Sequence, residues 1–96
     1  MAVQMDQLFL YARAGCHLCD EARAILDSVL RERAAAGLPS PAVVERDIDT
    51  DEGWQRAFMA TIPVIECGDR RLELAVSPAR IRRLLADVLD ASPATT

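Results

Sequence analysis

The segment Gly15-Cys16-His17-Leu18-Cys19 stands between two stretches of different period, and that junction constrains the fold more than any other feature of the chain. Before it, Gln7 to Tyr11 (QLFLY) is a run of strand formers. After it, Leu18, Ala22, Ile25, Leu26, Val29 and Leu30 make an apolar stripe at helical spacing. The junction predicts a strand, a loop over Ala12 to Gly15, and a helix that carries both cysteines at its start. Asp20 and Glu21 suit the positive end of that helix, Asp27 and Arg31 are spaced to pair one turn apart, and Gly37 offers a left-handed terminus.

Further along, Leu38 to Pro41 reads as a linker and Ala42 to Asp47 (AVVERD) as a second strand. Asp49, Thr50 and Asp51 offer capping side chains, with Glu52 three residues after Asp49 in the manner of a capping box. Trp54, Ala57 and Phe58 then lie on one face of a short second helix, which Thr61-Ile62-Pro63 ends. Val64 to Cys67 is a third strand, Gly68-Asp69 a tight turn, and Arg71 to Val76 a fourth strand, antiparallel to the third. Ser77 is a good N-cap and Pro78 a good first residue for a last helix, whose apolar stripe is Ile81, Leu84, Leu85, Val88 and Leu89. A strand, helix, strand, helix, strand, strand, helix order implies a parallel first pair joined by a right-handed crossover and a closing antiparallel hairpin. The expected fold is α/β, a four-stranded mixed sheet between helical layers.

At 96 residues the chain suits one domain, expected over 1–90 with a frayed tail over 91–96. A net charge of -4 provides no sequence-wide positive field for phosphate backbones, so nucleic acid is not an expected partner. All eleven basic side chains are arginine, a pattern read as composition bias. The run Met1 to Gln7 has no basic region, and the apolar stretch Leu8 to Leu10 is too short for a signal-peptide core or a membrane span. A cytoplasmic monomer that does not engage membranes is expected. Three cysteines make a poor disulfide framework, and in a reducing compartment a C-x-x-C pair is more often catalytic or metal-binding than structural.

The unit Y-A-R-A-G-C-H-L-C-D, followed about 45 residues later by T-I-P ahead of a strand hairpin and a last helix, resembles the glutaredoxin branch of the thioredoxin superfamily. The resemblance spans nearly the whole chain and is nearest to the small bacterial glutaredoxin-like proteins with a C-H-L-C centre. It implies a thioredoxin-like three-layer α/β/α fold and a redox-active dithiol.

Thiolate chemistry asks for this placement. Cys16 lies where loop becomes helix, so backbone N–H groups and the positive helix end pull its pKa below the ordinary thiol value of about 8.5. It is the expected attacker. Cys19, one turn inside the helix, is close enough to close a disulfide and less exposed, as a resolving thiol should be. The resemblance further implies that Pro63, in Thr61-Ile62-Pro63, is a cis-proline facing the reactive disulfide. Ile62 before it would offer its backbone N–H and C=O to an extended thiol substrate. Arg13 stands where glutaredoxins usually carry a lysine near the thiolate and the glutathione glycine carboxylate; a solvated loop arginine is the plain alternative. His17 replaces the family's common proline, and an imidazolium there favours the thiolate and raises the reduction potential; an exposed helix-start residue is the alternative. Tyr11 reads as the end of a strand, Trp54 and Phe58 as core, and Cys67 as a small buried hydrophobe.

One departure from the resemblance stands out. Glutaredoxins that bind glutathione well carry Gly-Gly and an acidic residue before the last helix, where this chain has Leu74-Ala75-Val76-Ser77-Pro78. Ser77 and the last helix N-terminus can still face a carboxylate, so glutathione stays a candidate co-substrate beside protein disulfides. No bound cofactor is expected, and a reductase or external thiol is the expected electron donor. The competing class is a binding module: two thiolates suit Cu(I), a shared iron-sulfur cluster would use the same cysteines, and a zinc ribbon lacks its second cysteine pair. The second helix, Thr-x-Pro and terminal helix favour the thiol–disulfide oxidoreductase.

Overall fold

The computed structural model describes residues 7–90. Along the chain run β1 (Gln7–Ala12), α1 (His17–Ala35), β2 (Ala42–Asp47), a 3-10 turn (Ile48–Thr50), α2 (Glu52–Phe58), β3 (Val64–Cys67), β4 (Arg70–Leu72) and α3 (Pro78–Leu89). The sheet order is β2-β1-β3-β4. β1 runs parallel to β2 with Leu10 opposite Glu45, and antiparallel to β3 with Leu8 opposite Cys67; β3 and β4 are antiparallel with Ile65 opposite Leu72. This is the expected mixed four-stranded sheet of a thioredoxin-like fold. The anticipated tail over 91–96 lies outside the described residues.

Alternation along the strands divides the interior in two. Leu8 and Leu10 of β1, with Ile65 and Cys67 of β3, face α1 and α3, where they meet Leu26, Val29, Ile81, Leu84 and Leu85. Side chains this deeply buried contribute roughly 1.5–3 kcal/mol each. Tyr11 and Val64 belong to a second cluster with Ile48 and Phe58, against which Phe9 and Trp54 pack, and this cluster also holds Cys19 and Ile62. Helices therefore cover both faces, two on one side and the short α2 on the other. Among the described residues no helix is long and apolar enough to cross a membrane.

The inward face of α1 is Cys19, Ala22, Leu26, Val29 and Arg33. Leu18 is not on it: this leucine is 42% exposed, because the buried positions repeat at three and four residues from Cys19 rather than from Leu18. At the other end, Gly37 takes φ +74°. Its N–H donates to Ala34 C=O at 3.1 Å and that of Leu38 to Arg33 C=O at 2.9 Å, which closes the helix in a Schellman turn. The anticipated Asp27–Arg31 pair is present at 3.1 Å.

Three local expectations are corrected. Of the three capping side chains offered, Asp51 caps α2 by accepting from Trp54 N–H at 3.0 Å, and the capping box that starts at Asp49 does not form. Residues 48–50 instead fold into the 3-10 turn, capped by Asp47 at 2.9 Å, which allows Ile48 to be fully buried. On α2 itself Phe58 is buried and Trp54 half-buried as anticipated, but Ala57 is exposed. β4 spans Arg70–Leu72 and not Arg71 to Val76. The chain leaves the sheet at Leu74, whose φ is +49°, because the next amides bond elsewhere: Leu74 N–H to Thr61 C=O at 3.0 Å and Ala75 N–H to Pro63 C=O at 2.8 Å. Ser77 caps α3 as expected, accepting from Arg80 N–H at 3.2 Å, with Pro78 in the first turn.

Candidate active site

The loop from β1 to α1 sets the position of the first cysteine. Gly15 takes φ +76°, a conformation that side chains disfavour, and delivers Cys16 as the N-cap of α1 in an extended conformation. The Cys16 sulfur accepts the Cys19 backbone N–H at 3.1 Å, and Cys16 C=O accepts from Asp20 N–H at 3.2 Å. A side-chain acceptor at this position satisfies an amide that the helix leaves open, and the positive helix end favours negative charge on that acceptor. The two sulfurs are joined in a disulfide across Cα atoms 5.2 Å apart, within the usual span for such a bond. Cys16 is half-buried and Cys19 has no exposed surface. An outer and an inner sulfur are thus held one helical turn apart.

Thr61, Ile62 and Pro63 come to the same end of the sheet. Phe58 C=O accepts from both Thr61 N–H at 2.8 Å and Ile62 N–H at 2.9 Å, which turns the chain out of α2. The Ile62–Pro63 peptide bond is cis, and the Pro63 side chain is fully buried. Ile62 packs in the cluster that contains Cys19 and touches Cys16. The expectation that Ile62 offers both backbone groups to a substrate is corrected by half, since its N–H is committed to Phe58. The Leu74–Val76 loop that leads into α3 is tied to Thr61 and Pro63 by the amides of Leu74 and Ala75.

Arg13 and His17 lie at the rim. The Arg13 guanidinium donates to Asp49 at 2.7 Å, and Gln55 donates to the same carboxylate at 3.1 Å; these bonds, that of Gln55 foremost, hold the Asp49 carboxyl below the usual carboxylate range. Arg13 also lines a polar cavity of about 370 Å³ with Gly15, Asp20, Arg23, Glu45 and Asp47. His17 is 88% exposed on its side chain and lies 3.8 Å from Glu21.

Sequence reasoning missed the support beneath the disulfide. Tyr11 does more than end a strand: it is buried in the cluster with Cys19 and Ile62. Its hydroxyl donates to Glu66 at 3.0 Å and accepts from Arg46 at 2.8 Å. Burial first, and then the bond to Glu66, push the Tyr11 pKa above the ordinary phenol value. Its ring meets Trp54 edge-on at 5.7 Å and Phe58 at 4.4 Å, and Arg46 lies 3.8 Å over Phe9. These partners are 35 and 55 residues away in sequence, beyond any local periodicity. Cys67 is buried in the other cluster, across the sheet from the disulfide. Among the described residues no group of three or more His, Cys, Asp or Glu side chains is placed to hold a metal ion.

A C-x-x-C disulfide at the N-terminus of the first helix of a thioredoxin-like fold defines a protein of thiol redox type. More narrowly, residues 7–89 match the profile of the glutaredoxin-like domain family (DUF836), and the chain belongs to that family. Among solved structures it is similar to a structural-genomics target protein from X. campestris, with 31% identity and a TM-score of 0.65 over 90% of this chain and 99% of that one. It is also similar to a protein from Nitrosomonas europaea, with 27% identity and a TM-score of 0.51 over 76% and 79% of the two chains. The germline-specific thioredoxin Deadhead from Drosophila melanogaster shares the fold, with 19% identity and a TM-score of 0.60 over 88% and 82%. No curated protein sequence matches this chain.

Proposed function

We propose that the protein is a thiol–disulfide oxidoreductase in which Cys16 attacks and Cys19 resolves. The observation that carries this reading is the bond from Cys19 N–H to the half-exposed Cys16 sulfur at 3.1 Å, beside a fully buried Cys19. A thiolate at Cys16 keeps a donor and the helix dipole and remains reachable. It attacks one sulfur of a substrate disulfide, the substrate S–S bond breaks, and the departing thiolate takes a proton from solvent. Cys19 then gives up its proton and attacks the Cys16 sulfur, which releases the second substrate thiol and leaves the Cys16–Cys19 disulfide. Two electrons have passed to the substrate. Two equivalents of an external thiol such as glutathione, or a reductase dithiol, return them in a reducing compartment.

Protein disulfides fit this surface better than glutathione mixed disulfides. The apolar side chains of Leu18, Met59 and Leu74 are 42%, 60% and 52% exposed, and each belongs to a segment that builds the site: the C-x-x-C turn, the end of α2, and the loop tied to Thr61. Together they offer an apolar rim to a folded partner, with no Gly-Gly to admit a γ-glutamyl group. The soft-metal alternative would use the same two sulfurs, yet the inner one has no exposed surface.

Single substitutions test the cycle: Cys16→Ser should abolish turnover, while Cys19→Ser should accumulate mixed disulfides that non-reducing gels resolve. Equal residual activity in both variants would refute the assigned roles. Leu18→Ser with Leu74→Ser should lower kcat/KM for a protein disulfide and leave that for hydroxyethyl disulfide unchanged; a parallel loss on both would remove the rim from substrate selection. A redox titration, run with and without glutathione, separates thioredoxin-like reduction near about -270 mV from glutaredoxin-like exchange at about -200 to -230 mV.

A further inference from the structure

Eight of the eleven arginines hold a carboxylate within 4.0 Å among the described residues. A ninth, Arg46, lies over Phe9 and bonds the Tyr11 hydroxyl. The remaining two, Arg80 and Arg83, have no side-chain partner among the described residues, and both line one open groove of about 330 Å³ between β4 and α3. Arg70 and Arg71 line it too, over a floor of Leu72 and Leu84. Among the described residues Asp87 answers Arg70 at 3.0 Å, while the Arg71 guanidinium pairs with Glu66 at 2.9 Å and lies over the Phe58 ring on the sheet's other face, which leaves Arg80 and Arg83 unanswered in the groove. A chain of net charge -4 therefore concentrates uncompensated positive charge at one place.

That place is also a sheet edge. β4 is the last strand of the order β2-β1-β3-β4 and among the described residues pairs with β3 alone, which leaves an edge beside the groove to which a strand can add. We propose that this groove binds an extended, acidic polypeptide segment of a partner protein, which adds to β4 as a strand and places carboxylates on Arg80 and Arg83. Alternate side chains of a strand recur at roughly 6.6 Å, close to the spacing of about 5–6 Å between helix positions three apart. Each guanidinium fork donates two parallel N–H bonds to one carboxylate, and Leu72 with Leu84 receive an apolar neighbour of those acids. The lining contains no aromatic ring on which a base would stack, and the net charge opposes a polyphosphate chain, so nucleic acid fits less well. This inference stands apart from the redox cycle, since it rests on none of the cysteines.

The test is a titration of the intact protein with a dye-labelled peptide of alternating glutamate and valine, followed by anisotropy and by amide chemical shifts. Binding should weaken with added salt, shift the amides of β4 and of the first two turns of α3, and fall at least tenfold in Arg80→Gln/Arg83→Gln. Both side chains are exposed and unpartnered, so circular dichroism should show the variant folded; Arg83→Gln alone should give an intermediate loss. Equal affinity in wild type and the double variant would overturn the proposal. So would tighter binding of a labelled oligothymidine, or full displacement of the peptide by millimolar inorganic phosphate, which would make the groove a simple anion site.

Discussion

At the scale of single residues, the hydrogen bond to the Cys16 sulfur comes from main chain. The donor is the Cys19 amide, so Cys19→Ser leaves it in place, and reduced Cys19→Ser should still alkylate at Cys16 with iodoacetamide faster than a free cysteine does at neutral pH. A rate equal to that of free cysteine would show that the cap and helix dipole do not activate this sulfur. Gly15 serves the same end through its backbone. Nothing lies within 4 Å of a Cβ built there, so Gly15→Ala meets no clash and should cost only the roughly 1–2 kcal/mol of a left-handed non-glycine residue, read as a lower urea midpoint. Arg13 and His17 were both legible as residues near the cysteines, since they are neighbours in sequence. The partner of Arg13 was not, because Asp49 lies 36 residues on and arrives only when β2 pairs beside β1.

At the scale of elements, caps and stripes decide most of the stability. Asp51→Ala removes the acceptor for Trp54 N–H and should destabilise by about 1 kcal/mol. Leu85→Ala opens a cavity in the fully buried layer under α3 and should cost about 2–5 kcal/mol, a difference that chemical denaturation resolves readily. Where an element is specified by its own residues, the sequence was enough: β2 and β3 begin and end where alternation and turn residues put them, and Ser77-Pro78 opens α3. Where bonds from elsewhere intervene, local reading failed. β4 stops early because Leu74 and Ala75 donate to Thr61 and Pro63, and the cap of α2 moves to Asp51 because burying Ile48 consumes residues 48–50. The cysteine pair was visible from its spacing alone, whereas the Tyr11, Arg46 and Glu66 network beneath it draws on three strands and has no local signature.

At the scale of the whole molecule, Arg33 fastens the end of α3 to the end of α1. It is buried, donates to Pro39 C=O at 2.8 Å and pairs with Asp90. That bond holds the Asp90 carboxyl below its usual range, so the folded state binds this proton less readily than the unfolded one. The stabilisation is therefore present above the unfolded value of about 3.9 and lost as pH falls through the lower folded value. Asp90→Asn should unfold at lower urea than wild type at pH 6, and the gap should narrow in strong acid; a gap independent of pH would assign the effect to packing.

The sheet also divides unequal masses. On one side lie two long helices and the larger cluster; on the other, the disulfide shares its cover with a seven-residue helix and a single 3-10 turn. The disulfide thus sits at the thin wall of the molecule, where few contacts must loosen for a neighbour to respond. Amide exchange compared between oxidised and reduced protein should differ over residues 48–62 while the floor formed by Ile81, Leu84 and Leu85 keeps time unchanged, so that α3 acts as ballast and α1, with the disulfide at its mouth, is among the described residues the one helix that spans both halves.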